Sequence, residues 1–307
     1  MNESLDVFKN IKEGQTINLE FGKTYDFSNQ KGYKLPNGVT INGNSAKIKC
    51  HYDTDFSRQP FYFDDGSHNI AFKNCRFDLK NHNVLVLQGR NFLFQDCSIV
   101  KGSNGIGIGR GIAGLMIQNL KDEGEFSGNA FGFFGSGASR PNSNITILNS
   151  NIKYGSTGEH VYRFHFVDGV HVEGGTLNCF DGKHALNIRD GRNITIKKVV
   201  VNAPTVIGPL QLEGEEDKKL DDVLFDSCEL NGWNAIYSGV TNLRVINCKG
   251  IAEKGSYCWS VRKPFGNRKQ AEGIIKDSSF IYKGKGELVA GNKAETVKFI
   301  NVKFEKR

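Results

Sequence analysis

NIAFKNCRF (Asn69–Phe77) and NFLFQDCSI (Asn91–Ile99) are two copies of one phrase: Asn, apolar, any, apolar, any, Asn/Asp/Ser, cysteine or a small residue, any, apolar. Further copies are NITILNSNI ending at Ile152, NITIKKVVV at Val201, DVLFDSCEL at Leu230, NLRVINCKG at Gly250 and TVKFINVKF at Phe304. The second apolar position of successive copies is Phe72, Phe94, Ile117, Ile147, Val172, Ile196, Phe225, Val245, Ile275 and Phe299, at spacings of 22, 23, 30, 25, 24, 29, 20, 30 and 24. Strict alternation within each copy predicts a strand. Recurrence at this interval predicts a solenoid, in which no coil buries its apolar face without its neighbours.

The expected fold is therefore all-β, a right-handed parallel β-helix of about ten coils with three short strands per coil. It is expected to form one domain over residues 1–307, with an N-terminal cap and first strands over 1–35 and coils over 36–307. Spacings near 30 imply inserted loops, at 121–143, 214–221 and 263–272, where binding sites are commonly shaped. Cys75, Cys97, Cys228 and Cys248 share one repeat position with Leu120, Ser150, Val199, Ser278 and Val302, which predicts an interior stack with free, buried thiols. The seven cysteines form neither a CxxC pair nor a zinc spacing, so no metal and no cofactor is expected.

Composition narrows the function classes. A hydrophobic fraction of 38% is enough for a core, and 36 glycines against 6 prolines suit short strands joined by tight turns. The formal charge of +7 suits a polyanionic partner. Basic residues are dispersed instead of interleaved with aromatics, which argues against nucleic acid. No apolar run is long enough to span a bilayer. The start MNESLDVFKNIKEG lacks the pattern of a secretory signal, so a cytoplasmic, virion-associated or mature secreted form is expected.

GVTINGNSAKI and the repeated N-I-T-I segments resemble the pectin-lyase-like superfamily of right-handed β-helices, over nearly the whole chain from Gln15 to Phe304. The resemblance implies that the strand preceding each repeat carries a substrate groove. Those strands include AFGFF (130–134), HVYRFHF (160–166), HALNI (184–188), PLQLE (209–213), NAIYS (234–238) and CWSVR (258–262). With Phe164, Leu186, Leu210, Ile236 and Trp259 inward, alternation turns Arg163, His165, Asn187, Gln211, Glu213, Tyr237, Ser260 and Arg262 outward, with Lys183 and Arg189 beside them.

Such a face contains what β-elimination from a uronate chain needs: a group to neutralise the carboxylate, a base for the C5 proton and an acid for the leaving oxygen. His165 is expected as base, with Lys183 the alternative. Asn187 with Arg189 or Arg163 would neutralise the carboxylate, and Tyr237 or Tyr162 would be the acid. Gln211, Glu213, Arg262, His184 and Phe134 would bind substrate, although Tyr162 and His184 have inward parity. Gly105, Gly107 and Gly109 would form a flat floor, while Asp168 and Asp190, each before a glycine, read as turn formers.

Within the superfamily, the Gly-His-Gly and paired-aspartate signatures of polygalacturonases and the Arg-x-Pro-x-x-Arg and calcium cluster of extended pectate lyases are absent. Size, basic charge and a Tyr/His/Arg/Lys groove are most similar to single-domain bacterial lyases of alginate or a related polyuronate. Two alternatives stay open: a glycoside hydrolase using Glu213 with Glu159, Asp190, Glu215 or Glu216, and a phage or surface β-helix that binds glycans without cutting them. The expected partner is an acidic polysaccharide, and the expected state is a monomer, since no trimerising segment is evident.

Overall fold

The structure, a computed structural model, describes residues 4–29, 32–51, 59–78, 85–101, 106–108, 111–122, 131–134, 140–154, 160–179, 184–203, 210–214, 219–255, 257–264, 267–291 and 296–307. Strands from Thr16 to Lys306 join one sheet system in which strands pair in parallel from coil to coil, apart from Tyr33–Lys34 and Phe61–Tyr62, which pair in parallel as a separate two-stranded sheet. The repeat ladder is continuous: Phe72 pairs with Phe94, then come Ile117, Ile147, Val172, Ile196, Phe225, Val245, Ile275 and Phe299. Ile17 and Ile41 extend it toward the N-terminus. The fold is thus the parallel β-helix expected from the repeat, and its first rung, at Ile17, lies in the segment read as N-terminal cap and first strands.

The asparagines of the phrase have a conformational reason. Its first and sixth positions turn the chain at the two ends of a strand and take left-handed backbone: Asn69 and Asn74 have φ of 58° and 49°, Asn242 and Asn247 of 52° and 55°. Asn, Asp and Gly visit that region at least cost. Stacked asparagines also bond between coils, as Asn91 Nδ2 does to Asn69 Oδ1 at 3.0 Å. Lys198 occupies the sixth position at φ 52° with neither advantage. Lys198→Asn is expected to stabilise the fold by ~1 kcal/mol. Urea denaturation would detect this as a higher midpoint at unchanged slope.

The seventh position faces inward just after that turn. Cys75, Cys97, Cys228 and Cys248 are buried, and Cys97 Sγ donates at 3.4 Å to the carbonyls of Phe72, one coil earlier, and Gln95. Ser278 Oγ donates likewise to the Lys276 carbonyl at 2.7 Å. A thiol or hydroxyl there adds a second bond to a carbonyl that already accepts a backbone N–H from the neighbouring coil, as Gln95 O does from Asn74 N at 2.9 Å, and the inward direction keeps the position small or apolar in the other coils. All seven cysteines are free and buried, as expected, and burial pushes the Cys50 and Cys258 thiols up to about 12.

Aromatic side chains fill the N-terminal coils. Phe8, from the short 3-10 helix Leu5–Phe8, packs on Tyr25, Phe27 and Phe61, closing that end of the core. Phe72 continues the stack, 5.1 Å from Phe94 and 5.4 Å from Phe61 between ring centroids. Asp122, at the end of strand Lys121–Asp122, accepts from the Lys153 N–H. Burial raises its carboxyl to about 6, the hydrogen bond only partly opposing this.

A folded-state pKa above the unfolded one makes Asp122 favour folding at low pH; that stability is lost as pH rises from ~4 through ~6. Asp122→Asn keeps a carbonyl acceptor for Lys153. It should therefore raise the melting temperature at pH ~8, and the gain should disappear near pH ~4. Thermal melts across that range check the sign.

Candidate active site

The strands that precede the repeat form a second face of the helix. Alternation holds there: Tyr162, Phe164, Leu186, Ile188, Leu210, Leu212, Ile236 and Trp259 are buried. The residues between them form two outward columns. One runs Gly132, Arg163, Asn187, Gln211, Ala235, Ser260. The other runs His165, Arg189, Glu213, and continues through Tyr237 and Arg262, whose backbone N–H groups donate to Leu212 O and Ile236 O at 2.8 and 2.9 Å; one coil earlier, the backbone of Phe134 pairs with that of His165. Adjacent members of a column are ~4.8 Å apart along the helix axis.

This face is recessed. Asn187 and Ser260 are only 2% and 4% exposed although they point away from the core, and Ala235 is fully buried. At its C-terminal end Glu213, Tyr237, Ser238, Arg262, Lys263, Arg268 and Gly291 line a cavity of about 650 Å³. A comparable depression of about 710 Å³ lies around Lys34, Asn37, Asp64, Asp65 and Gln88, but its charged residues are taken up in Lys34–Asp64 and Asp65–Arg140 ion pairs.

At the opposite end of the groove, His165 Nε2 lies 3.2 Å from Asp190 Oδ2, and its ring stacks on Phe166 with centroids 4.0 Å apart. Asp190 is 1% exposed. An ionised carboxylate only accepts, so this contact favours the ring tautomer with its hydrogen on Nε2 and its lone pair on Nδ1. Asp190 does turn the chain, at φ 50°, as its Asp-Gly sequence suggested. Its link to His165 was not legible from alternation, because it joins a turn to a strand of the adjacent coil, 25 residues away.

Between these ends the polar groups form a relay. Asn187 Nδ2 donates to Gln211 Oε1 at 2.6 Å, and Gln211 Nε2 approaches Glu213 Oε2 at 3.4 Å. Glu213 accepts from Arg268 Nη1 at 2.6 Å and faces Arg189 Nε at 3.5 Å. Arg262 lies 4.8 Å over the Tyr237 ring and donates from Nη2 to the Tyr257 hydroxyl at 3.3 Å. Burial raises the Tyr237 hydroxyl, and Arg262 partly opposes this.

Several expected residues stand elsewhere. Tyr162 is fully buried in the core, where desolvation drives its hydroxyl well above its ordinary range, so it does not reach the groove as an acid. His184 is also buried, stacked on His160 at 6.2 Å and edge-on to Trp233 at 6.0 Å, and offers no surface to a substrate. Asn187 has the expected direction but is covered, and its amide is engaged by Gln211, so it supports the groove floor instead of meeting a carboxylate. His165 and Tyr237 share a column but stand three coils, ~14 Å, apart, too far to act on one bond. Lys183, Gly105, Gly109, Glu159, Glu215 and Glu216 lie outside the described residues, as do the side chains of Phe131, Phe133 and Phe134. Gly107 pairs with Gly132 in the groove sheet.

Arg268 is the residue that sequence reasoning missed. Its only signal was its place in the 263–272 insert. Within the 121–143 segment, the strand Phe131–Phe134 joins the groove sheet, where the AFGFF stretch was expected to lie. No set of three or more His, Cys, Asp or Glu among the described residues is arranged to hold a metal ion.

The architecture is thus a parallel β-helix with a walled, cation-rich groove along one face. Neither family models nor curated proteins match the sequence. Among solved structures, the chain is similar to PfbA, a surface adhesin of Streptococcus pneumoniae, at 10% identity and TM-score 0.46, over 98% of this chain and 84% of that one. It is similar to the catalytic domain of a GH87 alpha-1,3-glucanase in complex with nigerose at 11% identity and TM-score 0.44, over 94% of this chain and 63% of that one. A family 28 exopolygalacturonase of Yersinia enterocolitica gives 10% identity and TM-score 0.42, over 96% and 74%. These likenesses are of fold.

Proposed function

We propose that the protein is a polysaccharide lyase that cleaves a uronate-containing chain by β-elimination in this groove, with His165 as its base. The observation that carries the reading is the His165–Asp190 pair beside Arg163 and Arg189 in a recessed, cation-rich face. Asp190 fixes the tautomer that leaves Nδ1 free to take a proton. Arg189, one coil along in the same column, neutralises the substrate carboxylate and so stabilises the negative charge that develops as C5 is deprotonated.

The electrons of the C5–H bond form the C4–C5 double bond, the C4–O4 bond breaks, and O4 leaves with its electron pair. His165 then returns its proton to O4 from the same face of the sugar. Base and acid are thus one residue, which removes the need for Tyr237 at the reacting bond. Tyr237 and Arg262 instead bind a sugar farther along the groove.

The carboxylates favour elimination over hydrolysis. A glycosidase needs one carboxyl to donate a proton and a second to act as base or nucleophile. Here Asp190 is committed to His165, and Glu213 to two guanidinium groups. Mass spectrometry of the products from acidic polysaccharides tests this. Elimination yields a new non-reducing end lighter by one water than the hydrolysis product; fragments of the hydrolytic mass alone would refute the proposal.

A further inference from the structure

We infer that Arg262, laid on Tyr237 and backed by Tyr257, is a specificity-determining cation that binds the carboxylate of a uronate several sugars beyond the one at His165. The inference rests on the reading of the groove as a site for an acidic polysaccharide. It adds which sugar the far end of the groove selects and how long a chain must be to reach it.

Arg262 follows the strand Tyr257–Val261, and its backbone N–H donates to Ile236 O at 2.9 Å, which fixes it in the ladder of coils. Its guanidinium lies 4.8 Å over the Tyr237 ring, and Nη2 donates to the Tyr257 hydroxyl at 3.3 Å. Tyr257 is in turn held edge-on by Trp233, with ring centroids 5.0 Å apart. The cation is thus in position before a substrate arrives, which lowers the cost of ordering it. An arginine carries five N–H donors in a planar fork. Tyr257 takes one of them, and no other group among the described residues accepts from this guanidinium.

The charges around the cavity point the same way. The carboxylate on its lining, Glu213, is already held by Arg268 at 2.6 Å and faces Arg189 at 3.5 Å. Arg262 and Lys263 line the same cavity and pair with no carboxylate among the described residues. Ser238 adds a neutral polar group: it lines the cavity, is 2% exposed, and its hydroxyl has no hydrogen-bond partner among the described residues. A buried hydroxyl left without a partner is costly, and an oxygen of a bound sugar would satisfy it. A volume of about 650 Å³ has room for a sugar ring.

Tyr237 stands three coils from His165 and Arg262 four, ~14–19 Å along the axis. A pyranose advances its chain by about one coil spacing, so the carboxylate at Arg262 belongs to a sugar about three or four units from the reacting one. Binding energy gained there is the same in ground and transition states, so its loss raises KM and leaves kcat in place.

The test uses acidic hexasaccharides prepared from alginate, polygalacturonate, hyaluronan and glucuronan. Their binding is measured by calorimetry against that of their carboxyl-reduced forms, and thermal melts confirm that each variant is folded. Wild type should prefer the acidic form of at least one, and Arg262→Gln should lose about tenfold of that preference, as expected for one charge-assisted contact. Arg262→Lys should recover only part of it, having charge without the fork. Tyr237→Phe keeps the ring beneath the guanidinium and should keep the preference, whereas Tyr237→Leu should lose most of it. In cleavage, the Arg262→Gln defect should lie in KM and should be smaller on trisaccharides, which do not reach from His165 to Arg262.

A wild-type preference retained in Arg262→Gln, or a defect confined to kcat, would overturn the subsite. Unsaturated products together with unchanged binding in Arg262→Gln would sink the subsite and leave the lyase standing. A lost preference without unsaturated products would do the reverse, and a wild type that binds no acidic hexasaccharide would overturn both.

Discussion

Asp190→Asn is expected to slow cleavage of an acidic polysaccharide about a hundredfold while leaving its binding nearly unchanged. The amide presents an N–H where the carboxylate oxygen faced His165 Nε2 at 3.2 Å. The ring then places its own hydrogen on Nδ1 and its lone pair on Nε2, so the nitrogen proposed to take the C5 proton is no longer a base. His165→Ala should cost more, about 10²–10⁴-fold, because the proton acceptor itself is gone. Steady-state kinetics distinguishes these from a binding defect: kcat falls and KM does not rise. If Asp190→Asn, folded by thermal melt, keeps wild-type turnover, the dyad is only a structural contact.

The largest stability effect is expected at Phe72→Ala, a loss of ~3–5 kcal/mol. Phe72 is fully buried and touches rings from three places: Phe61 at 5.4 Å, Phe77 at 5.6 Å and Phe94 at 5.1 Å. In a solenoid each coil is held chiefly by the coils on either side, so a cavity there weakens both interfaces. Met116, on the same sheet but 42% exposed, is the control; Met116→Ala should change stability by no more than ~0.5 kcal/mol. Equilibrium urea unfolding of the two variants measures the difference.

Both predictions depend on features that differ in how visible they are in the sequence. The register of the core was legible residue by residue, because stacking in a β-helix is set by a periodic apolar position, and the ladder from Phe72 to Phe299 follows the phrase throughout. The asparagines and cysteines were legible as periodic, but their reasons needed backbone geometry: left-handed turns for the first, and for the second a side chain buried just inside the turn within reach of backbone carbonyls. The groove was legible in direction only. Alternation turned His165, Asn187, Gln211 and Glu213 outward with Arg189 beside them, but only the strand pairing sets His165, Arg189 and Glu213 in one column and Arg163, Asn187 and Gln211 in the other.

Alternation alone does not reveal depth or reach. It pointed Asn187 outward without showing that neighbouring residues cover it, and it put Tyr237 on the same face as His165 without the three coils between them. The Asp190–His165 contact and Arg268 escaped notice because Asp190 sits at a turn and Arg268 in an insert, where period no longer fixes where a side chain goes. The groove's electrostatics are set largely by those two residues, through Asp190–His165 and Arg268–Glu213.

The most direct measurement is the ultraviolet absorbance of a C4–C5 unsaturated uronate as the purified protein is incubated with alginate, polygalacturonate, hyaluronan or glucuronan, with and without EDTA. A rise with at least one polymer, insensitive to EDTA and lost in His165→Ala, is the predicted result. New reducing ends without that absorbance would contradict it in favour of hydrolysis by Asp190 and Glu213, and the absence of both signals on every polymer would contradict it in favour of a groove that binds glycan without cutting it.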